Sequence, residues 1–304
     1  MVNTAVRIAS LTLRNPVVTA SGTFGFGSEM ADVVDLEKIG ACVVKSTSLE
    51  PRTGNPTPRI VETPSGLLNA IGLQNGGLQN YLTEKAPFLR QYSTPIIVNL
   101  VGYSVDDYVT LAEKITEAKA ADALEINISC PNVKHGCDFS VDPVLTGELI
   151  RALRKATTLP LITKLSPNVT DVVSVARAAM DAGSDGLSLI NTLVGTAIDV
   201  KTRKFRLANI TGGLSGPAVK PVALRMVWQV HKALPNAPIV GMGGITNAND
   251  ALEFIMAGAT AVAVGTSTFV TPTTILSVID GIKQYLIDND IPNITDLIGC
   301  VTPR

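Results

Sequence analysis

Charge of either sign is scarce. Only 17% of the 304 residues are charged, with 25 Lys and Arg against 26 Asp and Glu, for a net charge of −1. Lys and Arg are scattered without a basic run, so the chain offers no strong field to nucleic acid or to an anionic membrane surface. Histidine is nearly absent: with His135 and His231 alone, a His-built metal centre is not expected. The four cysteines, Cys42, Cys130, Cys137 and Cys300, show no disulfide or zinc spacing, which reads as a reduced, cytoplasmic, metal-free protein. No apolar run approaches the ~20 residues of a membrane span. The first residues are too polar and too short for a signal segment.

What is present is a large apolar fraction, 46%, which fits a big buried core with helices covering a sheet. The length admits one large barrel or two medium domains. Residues 6–13 read as a short β-ribbon ahead of Pro16. From there, short apolar runs ending in small or polar residues recur at 17–21, 42–46, 96–100, 124–129, 161–166, 186–192, 239–244 and 261–266. Helix-period segments lie between most of them, at 105–120, 144–156, 169–182, 219–234 and 248–257. Near-continuous apolar strands alternating with helices mean a parallel sheet buried on both faces. Eight such runs, with no linker or composition break, predict a closed (β/α)8 TIM barrel in one domain spanning 1–304. Three connections after strand C-termini, 47–95, 131–143 and 193–217, are too long for simple turns; the last reads as a hairpin and a Gly-rich turn. They fall on the face where barrel enzymes keep their chemistry, although such loops can also merely cap a barrel.

The most informative stretch is 123–137, ALEINISCPNVKHGC. Leu124, Ile126 and Ile128 alternate with Glu125, Asn127 and Ser129 as in a strand, and Pro131 cannot donate to a ladder. Cys130 therefore sits where a buried strand opens into a loop carrying Asn132, Lys134 and His135. A free cysteine is often a small buried hydrophobe. That is the reading for Cys42, inside ACVV; the strand-exit position argues for a reactive role at Cys130. Two glycine-rich strand ends, GMGGI at 241–245 and GTS at 265–267, follow the seventh and eighth runs. Barrels often bind phosphate there, and glycine lets backbone N–H groups approach the anion; glycine at a strand end can equally be a turn requirement. Ser21, Lys45, Asn99, Asn127, Lys164, Asn191 and Thr192 also stand at strand ends. Amides and hydroxyls suit the edge of a heteroaromatic ring. Lys164 is placed either to stabilise negative charge on a reduced flavin ring or to pair with a neighbouring carboxylate. His231, on MVWQVHKAL, reads as a surface or capping residue and Trp228 as packing.

Nine stretches together carry a resemblance: ASGTFGFG (20–27), VKSTSLEPRTGNPTPR (44–59), NAIGLQN (69–75), NISCPNVKHG (127–136), KLSPNVTD (164–171), NTLVG (191–195), ANITGGLSGPAVKP (208–221), GMGGI (241–245) and AVGTS (263–267). The chain resembles the class 1 dihydroorotate dehydrogenases, and more closely the NAD-linked 1B branch. The membrane-linked class 2 is similar in fold but has a serine base and an N-terminal amphipathic extension; this chain has Cys130 and no such extension. The resemblance implies oxidation of (S)-dihydroorotate to orotate in de novo pyrimidine (UMP) biosynthesis, with FMN in the barrel mouth. It implies the FMN phosphate on Gly243, Gly244, Gly265 and Thr266, with Gly216 nearby. It implies the flavin ring on Ser21, Lys45, Ser46, Asn99, Asn127, Lys164 and Ile190. Substrate contacts are implied from Lys45, Asn69, Ala70, Ile71, Gly72, Leu73, Asn127, Asn132, Asn191 and Thr192. Cys130 is implied as the base that takes the C5 proton while the C6 hydride goes to the flavin. A partner subunit with FAD and a [2Fe–2S] cluster is implied to pass electrons to NAD, in a heterotetramer of two of each. Rival readings are a fumarate-linked 1A enzyme, another FMN barrel that reduces a pyrimidine, and a flavin-free phosphate-sugar isomerase on the same barrel.

Overall fold

The computed structural model describes residues 2–128 and 139–302, so Cys130, Asn132, Lys134, His135 and Cys137 lie outside the described residues. Eight parallel strands form one sheet: β1 (Val17–Thr19), β2 (Cys42–Thr47), β3 (Ile96–Leu100), β4 (Ala123–Asn127), β5 (Leu161–Lys164), β6 (Gly186–Leu189), β7 (Ile239–Met242) and β8 (Ala261–Val264). From β2 to β8 each pairs with its sequence neighbour, and β8 pairs with β1. The remaining seam, β1 to β2, is closed by a Val18–Ala41 bridge and by a side chain. The Thr19 hydroxyl accepts from the Val43 N–H at 2.8 Å and donates to the Val43 carbonyl at 2.9 Å, standing in for ladder bonds. The result is the expected TIM barrel.

The helices outside the barrel start where the local chemistry satisfies their first N–H groups. Ser104 and Asp107 form a reciprocal capping box for Val105–Glu117. Asp142 caps Pro143–Ala156, Asp171 caps Val172–Asp181 and Asn247 caps Ala248–Met256. Lys220–Ala233 follows a one-turn 3-10 segment, Pro217–Val219. A further helix, Thr274–Asp288, lies beyond the expected segments, with Ile275, Val278, Ile282 and Leu286 buried at spacings of three and four. After β1 a 3-10 turn, Leu36–Lys38, takes the place of a helix. The N-terminal ribbon is an antiparallel pair, Val6–Ile8 with Leu11–Leu13.

Four expectations change. The strands end two or three residues before most of the apolar runs do, because a parallel ladder stops where its neighbours stop. The long connections after β2 and β6 do not form separate loops. Their segments Ile60–Thr63, Gly66–Asn69, Leu193–Thr196 and Thr211–Ser215 join into one four-stranded antiparallel sheet, which carries residues lining the barrel mouth. His231 is not a surface cap: its ring lies against Gly258 and Gly299, so close that a Cβ at either would collide with it. Trp228, by contrast, is 41% exposed, with the Lys232 ammonium 5.1 Å from its ring centre, so it is not core packing. Cys42 is buried as expected, and burial pushes its thiol up to about 12.

Candidate active site

A cavity of about 1020 Å³ opens at the C-terminal end of the barrel. Its walls come largely from the residues just past each strand, the ones freed from the ladder. Ser21 follows β1, Ile190, Asn191 and Thr192 follow β6, Gly243 and Gly244 follow β7, and Gly265 and Thr266 follow β8. Lys45 and Ser46 in β2, Asn127 and Lys164 at the ends of β4 and β5, and Gly216 complete the residues expected around a flavin.

Asn99 is the exception: it is fully buried and does not line the cavity. Its Nδ2 donates to Glu125 Oε2 at 2.6 Å, and its Oδ1 is buried without a hydrogen-bond partner among the described residues. Among the residues expected at the substrate, Asn69, Ile71, Gly72, Leu73, Asn191 and Thr192 line the cavity. Ala70 does not; with Val61, Leu68 and Leu207 it forms a small apolar cluster of its own. The period-2 alternation of an extended segment explains the split, with 67, 69 and 71 on the cavity and 68 and 70 on the cluster.

Charge is concentrated in this mouth. The Lys164 ammonium donates to Ser21 Oγ at 3.1 Å and lies 3.6 Å from Glu125 Oε2, so the pairing with a neighbouring carboxylate is present, on a side chain that also lines the cavity. Burial pulls the Lys45 ammonium below the ordinary lysine range; Glu29 opposes the shift and Arg59 adds to it. Asn191 Nδ2 donates to Asn127 Oδ1 at 3.3 Å, tying the β4 and β6 exits together. Arg52, which sequence reasoning did not single out, also lines the cavity and stacks 4.1 Å over the Tyr103 ring. An arginine within TSLEPRTGNP, a long connection after a strand, was the available signal.

The glycine cradle fits an anion held by backbone. Gly243 and Gly244 have φ of +131° and +75°, which non-glycine residues rarely adopt. A Cβ on Gly244 would stand 2.8 Å from the Gly216 carbonyl oxygen and from Lys220 Cβ. Thr266 Oγ1 donates to Ser215 Oγ at 2.8 Å beside the cradle. The cavity volume, the side-chain-free cradle and the polar strand ends around it together fit a flat heteroaromatic cofactor with a phosphate tail.

The comparisons agree with one another. A family profile described as Dihydroorotate dehydrogenase matches residues 3–286. A protein of Pelobacter propionicus named dihydroorotate dehydrogenase B (NAD(+)), catalytic subunit, is 59% identical over 297 residues, covering 97% of each chain. Proteins of the same name from Geotalea daltonii and Desulforamulus reducens are 57% and 56% identical over 298 residues, covering 98% of this chain and 97% and 98% of theirs.

Proposed function

Because this chain belongs to the dihydroorotate dehydrogenase family, we propose that it oxidises (S)-dihydroorotate to orotate, in the pyrimidine-making direction, with FMN in the barrel mouth. One observation carries the reading: in a chain of this family, the glycine cradle, Lys164 and the Asn127–Asn191 pair converge on a single cavity. FMN, when bound, supplies hydride acceptance and electron storage.

The residues divide the remaining work. Gly243, Gly244, Gly265 and Thr266 hold the phosphate with backbone N–H groups and a hydroxyl, and Gly216 closes the cradle. Ser21, Lys45, Ser46, Asn127, Lys164 and Ile190 fix the ring plane, with Asn99 buried behind them. The Lys164 ammonium favours negative charge on the ring. Asn69, Asn127, Asn132, Asn191 and Thr192 supply amide and hydroxyl donors to the substrate's carboxylate and ring edge, helped by Lys45 and the 70–73 backbone. Cys130 takes the C5 proton; as a free thiol has a pKa of about 8.5, it needs a local field that favours thiolate. We place Lys134 and His135 in that field.

The relatives' names say catalytic subunit and NAD(+), which supports a separate partner subunit. We assign that partner FAD and a [2Fe–2S] cluster, an outlet to NAD and a two-plus-two assembly. The cysteines Cys42 and Cys300 are free, in keeping with a cytoplasmic location. No helix among the described residues is long and apolar enough to cross a membrane.

The test is anaerobic. The purified chain is expected to show a flavin spectrum that bleaches on adding dihydroorotate and recovers with NAD only when the partner is present. Recovery with fumarate alone would move the protein to the 1A branch. A flavin that stays oxidised would point to another pyrimidine, and a colourless protein would overturn the FMN reading.

A further inference from the structure

Glu125 has no part in the activity described so far, yet it is a carboxylate buried in the barrel. It lies in the middle of β4 and is 2% exposed. Barrel interiors are normally filled by branched aliphatic side chains. A buried carboxylate costs several kcal/mol of desolvation, and well-packed apolar residues often serve stability as well or better. Packing alone therefore does not explain a glutamate here.

Its partners do. Glu125 Oε1 accepts from Ser188 Oγ at 2.8 Å, and Oε2 accepts from Asn99 Nδ2 at 2.6 Å and faces Lys164 Nζ at 3.6 Å. Asn99 and Lys164 come from the flanking strands, but Ser188 is on β6, two strands away, and is reached through the barrel interior. Both carboxylate oxygens are thus engaged by three strands. An ionised carboxylate only accepts hydrogen bonds. It therefore settles which end of the Asn99 amide it receives: Nδ2 is taken, and Oδ1 is the buried acceptor left without a partner among the described residues. It also sets a negative charge against the one ammonium that donates to Ser21 at the cavity wall.

We propose that Glu125 is a positioning residue that orients Asn99 and offsets the charge of Lys164 beneath the flavin, holding the bound FMN at a lower reduction potential than Lys164 alone would set. The proposal rests on the FMN reading above. A negative charge below the ring disfavours added electrons, and the interior transmits it more strongly than water does.

The experiment is a redox titration of the FMN-loaded chain at pH 7, wild type against Glu125→Gln, with thermal unfolding followed in parallel. Gln keeps the length and removes the charge. The expected result is a rise of at least tenfold in the ratio of reduced to oxidised FMN affinity, about 30 mV for a two-electron couple. An unchanged or lowered potential in a folded, FMN-binding variant overturns the proposal, whatever happens to its melting temperature. If that variant does not fold, Ser188→Ala is read instead. It keeps the charge but withdraws one donor, so the less neutralised carboxylate should lower the potential; no shift, or a rise, overturns the proposal. A wild-type chain that binds no FMN would overturn the functional reading and this inference with it, whereas normal FMN binding and bleaching with an indifferent Glu125→Gln sinks the inference alone.

Discussion

The Tyr108 hydroxyl donates to the backbone carbonyl of Asn127 at 2.7 Å. The same ring stands edge-on to Phe139, with centroids 6.2 Å apart at 90°. Tyr108 lies on Val105–Glu117, the helix that precedes β4. It thus grips the chain on both sides of residues 129–138, the stretch that carries Cys130. Tyr108→Phe should cost about 1–2 kcal/mol of stability, because a buried carbonyl loses a donor. It should also slow flavin reduction by dihydroorotate more than it weakens FMN retention, since small displacements of a reacting group are costly. Urea unfolding and stopped-flow reduction measure the two effects; a rate equal to wild type would mean that the Asn127 anchor does not set the Cys130 position.

The base assignment makes a sharper demand. Cys130→Ala should retain FMN and the fold while slowing flavin reduction by dihydroorotate about 10²–10⁴-fold, the usual cost of losing a general base. Anaerobic single-turnover reduction at neutral pH isolates this step from partner chemistry. Near-normal bleaching would remove Cys130 from the role.

The barrel and its mouth were legible because both rest on local patterns. Eight apolar runs, seven of them ending in Ser, Thr or Gly, mark eight buried strands whose ends carry polar groups. What stayed hidden depends on contacts far apart in sequence. That 60–69 and 193–215 share one sheet is a pairing between connections more than a hundred residues apart, and no turn signal announces it. Ala70 sat inside a motif of site residues, but extended backbone sends neighbouring side chains to opposite faces. Glu125 was visible only as the polar half of an alternation, and its meaning comes from Ser188, 63 positions away. His231 sat on an amphipathic helix like any surface histidine; the two glycines that make room for it come from later in the chain.

The phosphate cradle predicts a steric result. Gly244→Ala places a methyl group 2.8 Å from both the Gly216 carbonyl oxygen and Lys220 Cβ, at a φ of +75°. The left-handed backbone alone costs about 1–2 kcal/mol for an L-residue, and each 1.4 kcal/mol is a factor of about ten in affinity. FMN binding should therefore weaken at least tenfold, read by quenching of free FMN fluorescence on titration with apoprotein. Affinity within a factor of two of wild type would show that the phosphate lies elsewhere.

Lys220 also supports that cradle from behind, and this gives a pH dependence with a definite sign. Its ammonium donates to Asp250 Oδ1 at 2.6 Å and to Glu253 Oε1 at 2.9 Å, while Thr246 donates to Asp250 Oδ2 through its N–H at 2.9 Å and its hydroxyl at 2.7 Å. Burial on its own would raise the Asp250 carboxyl, but the Lys220 and Thr246 hydrogen bonds outweigh it and hold the group below the ordinary aspartate range. A carboxyl lowered on folding contributes stability that is present above its unfolded pKa, about 3.9, and is lost as the pH falls through the folded value. Asp250→Asn should therefore be clearly less stable than wild type at pH 7, and the gap should narrow steadily below about pH 4 as wild type loses the same charge. Thermal unfolding of both proteins from pH 7 down to the acid limit checks this. A stability gap independent of pH would assign the loss to the Thr246 hydrogen bonds rather than to the ion pair with Lys220.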